Sequence, residues 1–169
     1  MRLFIAILLD KELKDALRSV QNEMRRRGVE GNYTRGDNLH LTLAFIGDYP
    51  DPEAVLDAMG GVRFEPFTLR LGGLGSFGDT WWAGLEASAE LDALVRRLHH
   101  ALAEKELPFD RKAFRPHITL IRKPLFRRDP RFETLSIPET EMTVGRISLM
   151  LSTRGKNCMI YTELGSVSA

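Results

Sequence analysis

Two histidines of this chain sit in matching surroundings. His40-Leu41-Thr42-Leu43 recurs 77 positions later as His117-Ile118-Thr119-Leu120, each tetrapeptide inside an apolar run rich in β-branched residues. On an extended strand, side chains alternate faces, and residues two apart lie roughly 7 Å apart on the same face. His-x-Thr therefore points an imidazole and a hydroxyl the same way and turns the intervening apolar residues to the core. Two such strands facing each other would collect two imidazoles and two hydroxyls, a layout for acid–base chemistry on an anion. A phosphodiester between them needs a base to take a proton from the attacking water and an acid to protonate the departing oxygen. Histidine suits both tasks because its ordinary pKa lies near neutrality. The hydroxyls of Thr42 and Thr119 can donate to the nonbridging oxygens, where charge grows in the transition state. A cyclic 2′,3′-phosphate is a plausible target, since ring strain helps its leaving oxygen depart. The scheme needs no metal or other cofactor, and neither motif matches a metal-ligand signature such as H-E-x-x-H.

A single histidine on an apolar strand is usually a satisfied structural residue. Two in equivalent settings argue otherwise, and so does their neighbourhood. Between Arg111 and Arg131 stand eight basic residues against one acid, Asp129, although the whole chain carries a net charge of only +1. A basic cluster bracketing His117 fits an anion-binding rim. The other two histidines, His99 and His100, fall at the border and on the polar side of a helix and are expected to be solvated.

The elements that must position the motifs follow from periodicity and punctuation. Residues 2–9 form a buried first strand. Asp10 caps a helix to about Arg27 with Leu13, Leu17, Val20 and Met24 on one stripe, stopped at Gly28. A polar loop with Gly31 and Gly36 leads to the His40 strand, which ends at Gly47-Asp48. Asp51-Pro52 opens a short helix closed by Gly60-Gly61. Phe67, Leu69 and Leu71 alternate as a strand, and Gly72 to Gly78 is expected to be a flexible connector. Thr80 to Glu86 is a strand, and Ser88 caps a second long helix with Leu91, Leu94, Val95, Leu98 and Leu102 facing inward. The His117 strand and a basic loop over 122–133 follow. The chain closes on a hairpin, with Met142, Val144, Ile147, Leu149 and Leu151 on one strand and 157–164 on the other, joined through Thr153-Arg154-Gly155.

Strand 2–9, helix 11–27 and the His40 strand parallel strand 80–86, helix 89–105 and the His117 strand. Asp10 precedes His40 by 30 residues and Ser88 precedes His117 by 29. This repeat of order predicts one α+β domain, residues 1–169, made of two pseudo-repeat lobes about a pseudo-twofold axis with the site in the cleft. The 169 residues suffice for a real core. The lone Cys158 excludes an intramolecular disulfide, fits a reducing compartment and, in an apolar run, is expected to be a small buried hydrophobe. Leu3 to Leu9 is too short for a membrane span and lacks the flanks of a signal peptide, so a cytoplasmic, monomeric protein is expected.

Three segments carry a family resemblance: Asn38-Leu39-His40-Leu41-Thr42-Leu43-Ala44-Phe45-Ile46-Gly47, Gly73-Leu74-Gly75-Ser76-Phe77, and Phe114-Arg115-Pro116-His117-Ile118-Thr119-Leu120-Ile121-Arg122. Together they resemble the 2H phosphoesterase superfamily, in particular its RNA 2′,3′-cyclic phosphodiesterase branch, the LigT-like proteins also called 2′-5′ RNA ligases. The resemblance implies a bilobal α+β fold of two antiparallel sheets facing a central cleft with helices outside. It implies metal-independent opening of a terminal 2′,3′-cyclic phosphate on RNA, tRNA fragments among the substrates, to a 2′-phosphate, with reverse 2′-5′ ligation also expected. In that branch the first-motif histidine donates a proton to the leaving 3′ oxygen and the second accepts one from water, which would make His40 the donor and His117 the acceptor. Beyond the motifs, Arg115 shares the face of His117 and is a candidate phosphate contact. Arg122 is another, although its odd offset turns it to the opposite face of a regular strand unless the strand bends. Phe45, Trp81 and Trp82 could stack on a base, against the plainer reading of core packing. Two alternatives remain: a cyclic phosphodiesterase for small nucleotides such as ADP-ribose cyclic phosphate, and a module that binds RNA ends or nucleotides without turnover.

Overall fold

The computed structural model describes residues 1–169. Its elements run β1 (Arg2–Leu8), α1 (Lys11–Arg26), β2 (Glu30–Tyr33), β3 (His40–Asp48), α2 (Pro52–Gly60) and β4 (Phe67–Phe77). Then come β5 (Thr80–Leu85), α3 (Ala89–Glu104), β6 (His117–Leu125), β7 (Glu141–Val144), β8 (Arg146–Arg154) and β9 (Met159–Ser168). Each helix begins at the expected cap: Asp10, Asp51 and Ser88 accept backbone N–H bonds from Leu13, Ala54 and Leu91. No helix is long and apolar enough to cross a membrane.

The strands form two antiparallel sheets, one in the order β3-β1-β8-β9 and the other β2-β6-β5-β4-β7. Each motif strand lies next to the strand that opens its repeat, β3 on β1 and β6 on β5, and His40 and His117 stand opposite Leu8 and Gly84. The long helices pack across the repeats. The helix that follows β1, α1, contacts β6 and β7, whereas α3, which follows β5, contacts β3 and β4. One continuous core results, with Leu13 and Leu17 of α1, Leu94 and Leu98 of α3, Leu41 of β3 and Ile118 of β6 all completely buried. Burying each such side chain contributes about 1.5–3 kcal/mol.

Four expectations are corrected. Residues 72–77 are not a connector but the second half of β4, paired to β5 through Gly75–Trp82 and Phe77–Thr80. The missing glycine side chain is replaced by the Trp82 indole, whose six-membered ring occupies the position a Cβ on Gly75 would take. The glycine loop before the first motif contains β2, an edge strand pairing with β6, which itself runs on to Leu125 and shortens the basic loop. The last hairpin is β8 with β9, turning at residues 155–158. Residues 141–144 instead form β7 and pair with β4 in the other sheet, because the chain breaks at Gly145 between them. Finally, Cys158 is only half-buried, at that turn, where its Sγ accepts a hydrogen bond from Arg35 at 3.1 Å.

Candidate active site

Both motif strands carry the same irregularity at the same residue. On β3, Thr42 pairs with Ala6 and Ala44 with Ile5, leaving Leu43 as an extra residue. On β6, Thr119 pairs with Trp82 and Ile121 with Trp81, leaving Leu120 extra. A bulge of one residue reverses the alternation beyond it. Burial follows: Leu43 and Ala44 are both buried, as are Leu120 and Ile121, and the next residues emerge on the motif face. His40, Thr42 and Phe45 therefore share one face of β3, and His117, Thr119 and Arg122 share one face of β6. Arg122 and Phe45, each five residues after its histidine, are thus equivalent positions of the repeat. The regular-strand reading placed Arg122 on the far side, and the bulge corrects it.

The two imidazoles are held alike. His40 Nδ1 donates to the carbonyl of Asn38 at 2.6 Å, and His117 Nδ1 donates to the carbonyl of Arg115 at 2.6 Å. Because a carbonyl only accepts, each Nδ1 keeps its hydrogen and each Nε2 is left for chemistry. His40 Nε2 lies 2.9 Å from Thr42 Oγ1, which holds the ring over the motif face. The Asn38 side chain donates to Met159 O at 2.8 Å, tying the acceptor carbonyl to β9. Each ring is also bracketed by two aromatics. Phe4 and Tyr161 lie 5.0 and 5.2 Å from His40, and Phe77 and Trp82 lie 5.1 and 6.1 Å from His117. Phe77 ends one of the three segments that carry the family resemblance, whereas Phe4 and Tyr161 give no sequence signal beyond aromatic character on strands.

Burial pushes the His40 imidazole below its ordinary pKa; the Asn38 carbonyl opposes this, and the positive charges of Arg122 and His117 add to it. Both residues belong to β6, in the other sheet. An NMR titration of the free protein should find His40 titrating below 6.5, and phosphate should raise it, since an anion favours the imidazolium. A free-protein value above 6.5 would contradict the arrangement.

Between the strands lies an open cavity of about 390 Å³ lined by Thr42, Phe45, Phe77, Arg115 and His117, among others. A larger hollow of about 690 Å³ sits at the start of α3 but contains no motif residue, so the smaller one, lined by Thr42 and His117 though not by His40, Thr119 or Arg122, is the candidate. The Arg115 guanidinium lies over the Phe77 ring at 4.5 Å, and that of Arg2 over Phe45 at 4.9 Å. Phe45 is half-buried and lines the cavity, Trp81 is core, and Trp82 lies between core and site. Of the basic cluster, Lys112 and Arg115 line the cavity and Arg122 reaches the motif face; Arg127, Arg128 and Arg131 lie in the segment beyond β6. His100 is exposed beside Glu104, as expected, but His99 is half-buried and donates from Nε2 to the Leu43 carbonyl at 3.0 Å.

Two antiparallel sheets, each presenting one His-x-Thr strand to a shared cleft, are the architecture of a 2H phosphoesterase. Residues 10–156 match the family described as the 2′-5′ RNA ligase superfamily, and the chain belongs to it. It is 33% identical over 129 residues to the RNA 2′,3′-cyclic phosphodiesterase of Geobacillus stearothermophilus, a match covering 71% of this chain but 41% of that protein. To the RNA 2′,3′-cyclic phosphodiesterase of Thermotoga maritima it is 29% identical over 175 residues, covering 97% and 93% of the two chains. The crystal structure of E. coli LigT complexed with 3′-AMP superposes with a TM-score of 0.79 at 27% identity, covering 99% of this chain and 96% of that one.

Proposed function

We propose that this protein hydrolyses the 2′,3′-cyclic phosphate at the end of an RNA to a 2′-phosphate, using His40 as proton donor and His117 as proton acceptor. The observation that carries the reading is the matched pair of imidazoles, each with Nδ1 committed to a backbone carbonyl and Nε2 turned away from it, that of His40 toward the Thr42 hydroxyl. His117 Nε2 takes a proton from water as its oxygen attacks phosphorus. The bond from phosphorus to O3′ breaks, and O3′ takes the proton from His40 Nε2. Thr42 and Thr119 donate to the nonbridging oxygens, and Arg122 and Arg115 supply positive charge beside them. Phe45 offers a face on which the terminal base can stack. With a 5′-hydroxyl in place of water, the same two groups in the same roles serve 2′-5′ ligation: His117 takes the hydroxyl proton as P–O5′ forms, and O3′ takes the proton from His40 as P–O3′ breaks. The relatives' names and the shared fold support RNA as the substrate.

The lowered pKa of His40 makes the donor role testable. A donor must be protonated, so kcat/KM should fall along a basic limb set by the macroscopic pKa of the free protein's acid–base pair. Once bound, the substrate's phosphate raises that value, so the basic limb of kcat should lie at higher pH. Limbs that coincide would remove His40 as the donor. Turnover of an oligonucleotide ending in 2′,3′-cyclic phosphate should continue in EDTA with a 2′-phosphate product, and loss on chelation would refute a mechanism resting on imidazoles alone. Neutralising Arg127, Arg128 and Arg131 together should raise KM for such an oligonucleotide about tenfold, because each contact to phosphate releases counterions. A small cyclic nucleotide should be turned over as before, and equal effects on both would favour the small-nucleotide reading.

A further inference from the structure

The two bulges are held by side chains from the opposite repeat. A bulge leaves its extra residue out of regular pairing with one neighbouring strand, and a side-chain donor on its carbonyl can fix the bulge in place. The Leu120 carbonyl accepts the Thr34 backbone N–H at 2.9 Å and has a second donor in the side-chain amide of Gln21, also at 2.9 Å. The same Gln21 nitrogen reaches the Thr34 carbonyl at 2.8 Å, so Gln21 ties β6 at its bulge to the segment after β2. The Leu43 carbonyl receives His99 Nε2 at 3.0 Å. Gln21 lies eleven residues past the Asp10 cap and His99 eleven past the Ser88 cap, so they are the same position of the repeat. Gln21 is almost completely buried, on the helix that crosses to β6, and His99 is half-buried on the helix that crosses to β3.

We propose that Gln21 and His99 are positioning residues: each fixes the bulge in the other repeat's motif strand, Gln21 thereby holding Arg122, and His99 holding Phe45, on the face that meets the substrate. The inference rests on the phosphodiesterase reading above, since it assigns these two residues an effect on turnover. Without the donor, the cheapest relaxation of the strand is to slide out the extra residue, which turns Arg122 or Phe45 away from the site. His99 lines the same cavity, but its Nε2 is committed to the Leu43 carbonyl. His99 can carry hydrogen on Nε2 whether neutral or protonated, and Gln21 does the same work without titrating.

The test measures kcat and KM on an oligonucleotide ending in 2′,3′-cyclic phosphate for Gln21→Leu and His99→Leu, each alone and combined with Arg122→Ala or Phe45→Ala. Gln21→Leu should lower kcat/KM about tenfold in the otherwise native protein, the scale expected for a displaced contact. It should change it less than about twofold when Arg122 is already alanine, as non-additivity requires of residues acting as a unit. His99→Leu should raise KM and fall silent in the Phe45→Ala background. The swaps His99→Gln and Gln21→His should restore most of the loss, because each residue does the other's work at the equivalent position. Melting curves establish that the variants fold; should Gln21→Leu not fold, the His99 series carries the test. Losses of equal size in both backgrounds, or none in either, would overturn the proposal. Absence of turnover in the native protein would instead overturn the phosphodiesterase reading.

Discussion

Replacing His117 by alanine should lower turnover of an RNA 2′,3′-cyclic phosphate by roughly 10³- to 10⁴-fold, with KM little changed, and His40→Ala should match it. Each removes one proton transfer that occurs only in the transition state, so the loss belongs in kcat rather than in binding. Combining the two should cost little more than either alone, because the pair acts as a unit. Asparagine is the sharper substitution. Its side-chain amide can keep a hydrogen bond to the Asn38 or Arg115 carbonyl, yet it moves no proton at neutral pH, so a folded asparagine variant with the same loss separates chemistry from packing. Rapid-quench single-turnover measurement on a labelled oligonucleotide decides the matter. A His117→Asn protein within tenfold of the native rate would sink the assignment.

Gly75→Val should also damage activity, although it touches neither histidine. A Cβ on Gly75 would lie 2.2 Å from the Trp82 ring. The backbone at Gly75 lies outside the left-handed region, and valine favours strands, so local propensity predicts stabilisation. Packing decides the sign instead. The indole must leave its seat, and Phe77 and His117 stand at 4.8 and 6.1 Å from it. Overpacking of this kind costs about 1–3 kcal/mol, and the displaced ring disturbs the His117 imidazole directly. Thermal unfolding should show a lower Tm, and turnover should fall about a hundredfold. Adding Trp82→Leu should recover the Tm but not the turnover, since it relieves the clash without restoring the aromatic bracket of His117. A Gly75→Val protein with native Tm and native rate would show that the ring has room to move.

How legible the molecule was in its sequence depends on the range of the forces concerned. The three helix starts were plain because an N-cap is a contact over three residues, as with Asp10 and Leu13. The motif strands were equally plain, because alternation is a property of neighbouring residues. The glycine-rich 72–78 misled because local propensity counts a glycine as freedom. In the fold its emptiness is filled by Trp82 from the next strand. Residues 142–144 misled for a similar reason: their pattern suits either sheet, and pairing with β4 over some seventy residues of chain decided between them.

The sequence alone settled the identity and the local facing of His40, Thr42, His117 and Thr119, because period-two alternation binds each hydroxyl to its imidazole wherever the strand goes. It even held a trace of the bulges, in the adjacent apolar pairs Leu43-Ala44 and Leu120-Ile121 where alternation slips. Only the tertiary structure decided that Arg122 and Phe45 turn toward the site, that His99 is a donor rather than a solvated surface residue, and that burial lowers the pKa of His40. Each of these depends on a partner far away in sequence: the pairing of β1 or β5, a helix crossing from the other repeat, a second sheet closing over the first. Such contacts arise from packing around a shared core, which no short window of residues contains.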